Sequence, residues 1–254
     1  MTDILEMARL TSPEMAAAIP DLEVALQPIG ATEQHGPNLA LGTDFVTADR
    51  IARRVAAELG HRALLLPVLP FGLSPHHMGF PGTITLEPET VIRLCFDVAR
   101  SLDRQGIKTI VFVNGHNGNS AVLQVAATKI RYDLGMRAAV AFYFAQASDR
   151  VRAHGRTPRF GHACEVETSV LMHLDADYVR AHALAPGEVK ETGLVHGFNN
   201  DPFALQFPVP FDRQTANGAF GDARLASVEA GRDIVETAVN RTVAFIESLK
   251  SASI

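Results

Sequence analysis

"KTIVFVNG" (residues 108–115) is a short β-branched run, typical of a strand in the middle of a parallel sheet, and it closes on a glycine. "NSAVLQVAATKIRYDLG" (119–135) follows as a helix, with Asn119 as a candidate N-cap and Gly135 ending it. "RAAVAFYF" (137–144) is the next strand. Upstream, "EVALQPIG" (23–30) and "RALLLPVLP" (62–70) are also strand-like. Between and after them, "FVTADRIARRVAAELG" (45–60) and "PETVIRLCFDVARSLDRQG" (88–106) read as helices. Ile51, Val55 and Leu59 recur at spacing four in the first, and the second starts on a proline and stops at Gly106. This alternation predicts an α/β fold with a parallel-rich sheet covered by helices on both faces. Ligands of such sheets sit beyond the carboxyl ends of the strands, where the polar loops after 30, 70 and 113 fall.

Beyond residue 145 the pattern loosens. "FGHACEVETSVLMHL" (160–174) turns helical near Glu165, and residues 185–222 read as long loops rich in Gly, Pro, Asn and Phe. "ARLASVEAGRDIVETAVNRTVAFIESL" (223–249) predicts a long closing helix. With no internal repeat or linker, the 254 residues are expected to form one domain, 1–254. The formal charge of −5 and the lack of a basic stripe argue against nucleic acid as a partner. Two cysteines give no disulfide framework, which fits a reducing compartment. The stretch "MTDILEMARLTSPEM" lacks the basic-then-apolar order of a secretory signal, and no apolar run approaches the roughly 20 residues of a membrane span. The expectation is a soluble, cytoplasmic protein acting on a small molecule, with no membrane partner.

Four polar clusters carry the chemistry. In "GATEQHGPNLALGTDF" (30–45), Glu33 and His35 lie two apart and share a face on extended chain, while Asp44 opens the next helix. Asp44 alone reads equally as a group favoured by the helix dipole or as a ligand. "VNGHNGN" (113–119) resembles a phosphate-cradling turn but lacks the spacing and lysine of one, and holds His116 at its centre. "GHACEVET" (161–168) supplies His162, Glu165 and Glu167. The two glutamates fall on different faces of a helix, so one at most shares a centre with His162; Glu165 is expected as that ligand, with Glu167 in support. "FGLSPHHMGFPGTITL" (71–86) holds Ser74, His76 and His77. Adjacent histidines on extended chain point apart, which suits substrate contact or support of a ligand. Cys164, beside His162, offers a Cys–His dyad, but nothing marks it as a thiolate.

Taken together, Glu33, His35, Asp44, His116 and a later glutamate give a mixed nitrogen and oxygen donor set that suits Zn or Mn, with Fe also accepted. Asp44 would bridge two divalent ions about 3.5–4 Å apart. A metal-activated water is then the nucleophile, and no Ser or Cys is required.

The blocks "PIGATEQHGPNLALGTD", "SPHHMGFPGT", "VNGHNGN" and "FGHACEVETS", with "NGAFGDARLASVEAGR" as a weaker fifth, resemble the creatininase (creatinine amidohydrolase) family. The resemblance implies a three-layer α/β/α sandwich with a parallel-rich mixed sheet, a homohexamer, and a two-metal site at the strand ends. By position, Glu33 and His116 resemble ligands of one metal, His35 a ligand of the other, and Asp44 the bridge. Ser74 and His162 match positions that contact substrate, and His162 resembles the group that moves a proton to the leaving nitrogen. Ser74, His77 and Asn117 are thus expected on the substrate side, with His162 and Glu165 as the catalytic pair. Creatininase proper has an aromatic and a metal-binding Glu where this chain has Asn117 and Gly118, and Glu165 is the expected substitute. The family's enzyme also covers its ligand with tryptophan, and this chain has none. The implied activity is hydrolysis of a C–N bond in a small cyclic amide or formamide rather than creatinine. Metal-dependent C–C opening of a keto-inositol-type ring, or metal binding without catalysis, are the alternatives.

Overall fold

The computed structural model describes residues 4–193 and 207–252. Five strands form one sheet: β1 (Leu5–Glu6), β2 (Val24–Ile29), β3 (Ala63–Leu65), β4 (Thr109–Asn114) and β5 (Arg137–Phe142). Their order is β1-β3-β2-β4-β5, and every pairing is parallel. Among the described residues, antiparallel pairing is confined to isolated bridges such as Thr32 with Ile84 and Leu39 with Val179, and each strand returns through a helix instead of a hairpin. The helices are α1 (Ser12–Ala18), α2 (Thr43–Leu59), α3 (Pro88–Arg104), α4 (Ser120–Leu134), α5 (Tyr143–Gln146), α6 (Ser148–His154), α7 (Glu165–Leu174), α8 (Phe211–Gln214) and α9 (Val228–Ser248).

Strand alternation divides the core into two layers. Val24, Leu26, Val111 and Val113 face α2, α7 and α9 through Ile51, Val55, Val170 and Ile234. Ala25, Ile29, Ile110 and Phe112 face α3 and α4 through Val91, Phe96, Leu123 and Ile130. The result is an α/β/α sandwich. Strand β3 stops at Leu65, although the apolar run continues to 70, because Pro67 cannot donate to a ladder. The closing helix starts at Val228, five residues later than its apolar pattern suggests, because Ser227 caps it by accepting from the Ala230 N–H.

The chain leaves β2 toward β3 on one side and later crosses to β4 on the other, so the strand order reverses between β2 and β4. That crevice is where a ligand site is expected in a parallel sheet. It is held open by backbone proximity. A Cβ on Gly115 would lie 2.0 Å from the Asp44 carbonyl oxygen, which lets the first turn of α2 press against the end of β4. Gly115→Ala should therefore destabilise the fold by about 3 kcal/mol, because backbone and not a flexible side chain must yield. Urea unfolding midpoints would check this; an unchanged midpoint would mean that the helix can shift without cost.

Candidate metal centre

The ends of β2 and β4 deliver the first four groups. Glu33 and His35 follow β2, His116 follows β4, and Asp44 sits in the first turn of α2. Their side chains meet in the crevice. His35 Nε2 is 3.2 Å from Asp44 Oδ1, His116 Nδ1 is 3.2 Å from Asp44 Oδ2, and His116 Nε2 is 3.3 Å from Glu33 Oε2. All four are buried, with Glu33 fully shut from solvent. Asp44 thus contacts both imidazoles, one with each oxygen, the arrangement expected of a bridging carboxylate.

Glu165 does not join them, contrary to expectation. Its Oε1 accepts from the backbone N–H groups of Arg156 and Thr157 and from the Thr157 hydroxyl, at 2.9, 3.0 and 2.7 Å. Its Oε2 accepts from the Asp222 N–H at 2.9 Å. Four bonds leave the carboxylate no capacity for the centre. As the first residue of α7, it faces the loops on that helix's far side. Glu167 is the glutamate that comes near: an oxygen of its carboxylate lies within 4.8 Å of ring nitrogens of His35 and His162. The Ala163 N–H donates to Glu167 Oε2 at 2.5 Å, and Ala163 holds a left-handed φ of 51° to do so. A non-glycine residue there is costly and marks a functionally constrained turn. This kink and the four bonds to Glu165, both invisible in the helical pattern, distinguish the two glutamates.

The histidine pair is also closer than an extended chain allows. Residues Pro75–His77 form a 3-10 turn, so the His76 and His77 ring centroids are 4.3 Å apart and both face the centre. His77 Nε2 is 3.2 Å from Glu33 Oε1. Ser74 is buried, with its hydroxyl 3.3 Å from His116 Nε2. Asn117 is exposed and accepts from the Ser120 hydroxyl at 3.3 Å, serving the start of α4 rather than the crevice. Asn119, expected as a helix cap, makes no capping bond. It donates to the Gly30 carbonyl at 2.9 Å and accepts from the Leu73 N–H at 2.8 Å, bracing the three loops that form the site. Its value lies in non-local bonds, which local sequence does not encode.

Phe211 on α8 was not anticipated. Its ring centroid lies 4.0 Å from that of His77 and 4.8 Å from that of His162, giving the histidines an apolar wall. Cys164 is fully buried in the α2–α7–α9 core and burial pushes its thiol far above the ordinary range, so it does not supply a nucleophile.

The electrostatics of the crevice call for a cation. Burial pushes the Glu33 and Glu167 carboxyls up to about 7 despite neighbouring imidazoles. Burial disfavours a charged His35 and a charged His116, yet Asp44 for the first and Glu33 with Asp44 for the second raise them to about 10 and about 9. Both Glu33 oxygens, Asp44 Oδ2 and His35 Nε2 are buried without a hydrogen-bond partner. Unsatisfied polar atoms of this kind are rare in folded proteins. The outer nitrogens are satisfied: His35 Nδ1 donates to the Glu33 carbonyl at 3.2 Å, and His116 Nε2 to the Leu73 carbonyl at 3.0 Å. Each therefore points its other nitrogen inward, and a bound cation in place of the inner proton would meet a lone pair there, as in metal-binding imidazoles. The residues present fit a divalent ion.

A parallel α/β/α fold whose strand ends gather carboxylates and imidazoles around buried, unpartnered carboxylate oxygens fits a metal-dependent hydrolase. The Creatininase family model, described as creatinine amidohydrolase, matches residues 8–246, and the chain belongs to this family of metal-dependent amidohydrolases. It is 31% identical over 238 residues to the mycofactocin precursor peptide peptidase of Mycolicibacterium smegmatis, covering 91% of this chain and 85% of the relative. It is 27% identical over 249 residues to the 3-dehydro-scyllo-inosose hydrolase of Thermotoga maritima, covering 89% and 78%. Among solved structures, a zinc–zinc form of a creatininase variant superimposes with a TM-score of 0.79 at 26% identity, covering 97% of this chain and 98% of that one. A manganese creatininase gives a TM-score of 0.79 at 27% identity over the same shares.

Proposed function

We propose that this chain hydrolyses a C–N bond in a small polar amide, with a cyclic amide or a formamide as the substrate class and creatinine disfavoured. Glu33, His35, Asp44, His116 and Glu167 would hold two divalent ions, zinc or manganese, with Asp44 between them. When bound, such a pair polarises the carbonyl and makes water nucleophilic near neutral pH.

The chain's own groups supply the proton traffic. His162 Nε2 donates to the Gln34 carbonyl at 2.8 Å, so the neutral ring presents the lone pair of Nδ1 to the centre, 3.8 Å from Glu33 Oε1. Burial, and then the nearby His35, hold His162 well below its ordinary range, which keeps it neutral. In that state it can only take up a proton first, from the attacking water, and then return it to the departing nitrogen. The expectation of a proton donor is thereby refined to a base that becomes an acid within one turnover. This placement of His162 against Glu33 is the observation that carries the reading. Phe211, packed on His77 and His162, supports an aromatic wall unlike a tryptophan cover.

The Thermotoga relative supports a second reading, C–C opening of a cyclic polyol ketone on the same residues. Zinc- and manganese-loaded protein incubated with formamides, lactams, short peptides and keto-inositols separates the two by mass spectrometry. A freed amine supports the first reading; a new carboxylate without nitrogen release supports the second. Hydrolysis of neither class by fully loaded protein would leave metal binding without catalysis. Among the described residues no helix is long and apolar enough to cross a membrane. A hexamer by family likeness, and a cytoplasmic single domain by composition and the lack of a linker, are part of the proposal, and sedimentation would test the assembly.

A further inference from the structure

Gln34 stands between the two metal-side residues Glu33 and His35, and its side chain touches two further histidines of the crevice, His77 and His162. Its amide orientation is fixed by backbone groups whose roles are unambiguous. Oε1 accepts from the Gly36 N–H at 2.9 Å, and Nε2 donates to the Gly218 carbonyl at 3.1 Å. The second Nε2 hydrogen then points to His77 Nδ1 at 2.8 Å, which must accept it. The 3.1 Å approach of Gln34 Nε2 to His162 Nε2 cannot be a third donation, because that ring nitrogen already gives its hydrogen to the Gln34 carbonyl.

The imidazoles therefore divide. His35, His116 and His162 each set their outer nitrogen against a backbone carbonyl, of Glu33, Leu73 and Gln34 respectively, and point the other nitrogen inward. His77 alone meets a donor with its outer nitrogen. Its neutral ring carries the hydrogen on Nε2, 3.2 Å from Glu33 Oε1. We infer that Gln34 is a positioning residue that sets the two histidines in opposite roles. Its side chain makes His77 a hydrogen-bond donor to the centre, and its backbone makes His162 an acceptor. His77 is consequently no metal ligand, although its nitrogen lies within reach of one. Its N–H instead approaches the Glu33 carboxylate at the edge of the centre, where it is placed to donate to a ligand oxygen.

The surroundings are shaped for this amide. Gly218 has φ +80°, and a Cβ there would lie 2.0 Å from Gln34 Oε1. Phe211 closes the other side, 4.0 Å from the His77 ring, and keeps competing water from its face.

The catalytic consequence rests on the proposed hydrolysis, but the proton placement does not, and the test separates them. Zinc-loaded protein labelled with 15N-histidine is diamagnetic, and its long-range nitrogen–proton spectrum reports which ring nitrogen carries hydrogen. In the wild type His77 should show a bare Nδ1 and a protonated Nε2 that stays free of zinc, with His162 also protonated at Nε2. In Gln34→Glu the carboxylate accepts from His77, so its hydrogen should move to Nδ1 while His162 is unchanged. With an amide found to be a substrate, kcat of this variant should fall about 10²-fold at unchanged zinc content. Gln34→Leu, which neither donates nor accepts, should lose the His77 preference without installing the opposite one. A protonated Nδ1 or a zinc-bound Nε2 on His77 in the wild type would overturn the inference, whether or not either variant folds. An unaltered His77 pattern in folded Gln34→Glu would do the same.

Discussion

His162→Ala should retain both metal equivalents and lose about 10²- to 10⁴-fold in kcat, the usual contribution of a positioned proton-transfer group. The imidazole is 6% exposed and enters the crevice from the loop before α7, so its removal leaves Glu33, His35, Asp44 and His116 in contact with one another. The KM should change little, because the missing step occurs after binding. Added imidazole should restore part of the rate if the cavity left behind admits it. Metal analysis decides between roles: loss of one equivalent would make His162 Nδ1 a ligand, while a full rate with full metal would leave it a structural residue.

The second large effect separates two glutamates that lie two residues apart. Glu167→Gln should lose metal from the His35 side of the centre and most activity, since an amide oxygen is a far weaker partner for a divalent ion than a carboxylate. Glu165→Ala should do the opposite. It removes the acceptor of three backbone N–H groups and one hydroxyl, leaving buried donors unpaired, so the fold should lose at least about 3 kcal/mol. The surviving folded fraction should still bind two metal equivalents. Metal content per folded chain, read alongside urea unfolding, tests both. Metal lost from Glu165→Ala at temperatures where it is folded would restore that residue to the ligand set.

The fold was largely legible because its elements are marked by period and punctuation. Runs such as 108–115 are short, apolar and closed by glycine, and the helices between them bury one stripe each. Pairing without hairpins follows from the helices that separate the strands. That Glu33, His35, Asp44 and His116 converge was legible for the same reason: they stand at strand ends or a helix start, where topology fixes direction. Which glutamate comes near them was not: Glu165 is held by the main chain of Arg156, Thr157 and Asp222, and Glu167 by the Ala163 N–H on a left-handed turn, partners that local sequence does not record. His76 and His77 misled through an assumed extended backbone, which the turn at Pro75 replaces. Asn119, Gln34 and Phe211 act across long sequence separations, and no local pattern records such partners.

Glu165 grips its neighbours by their main chain: Arg156, Thr157 and Asp222 each offer an amide hydrogen. Because that clasp ignores side-chain identity at 156, that position is open to exchange without unfastening the segment that precedes His162, whereas the Asp222 carboxylate also caps the following turn and pairs with Arg224. A relative seeking a different molecule could rewrite the surface at 156, and a directed library would do well to begin there.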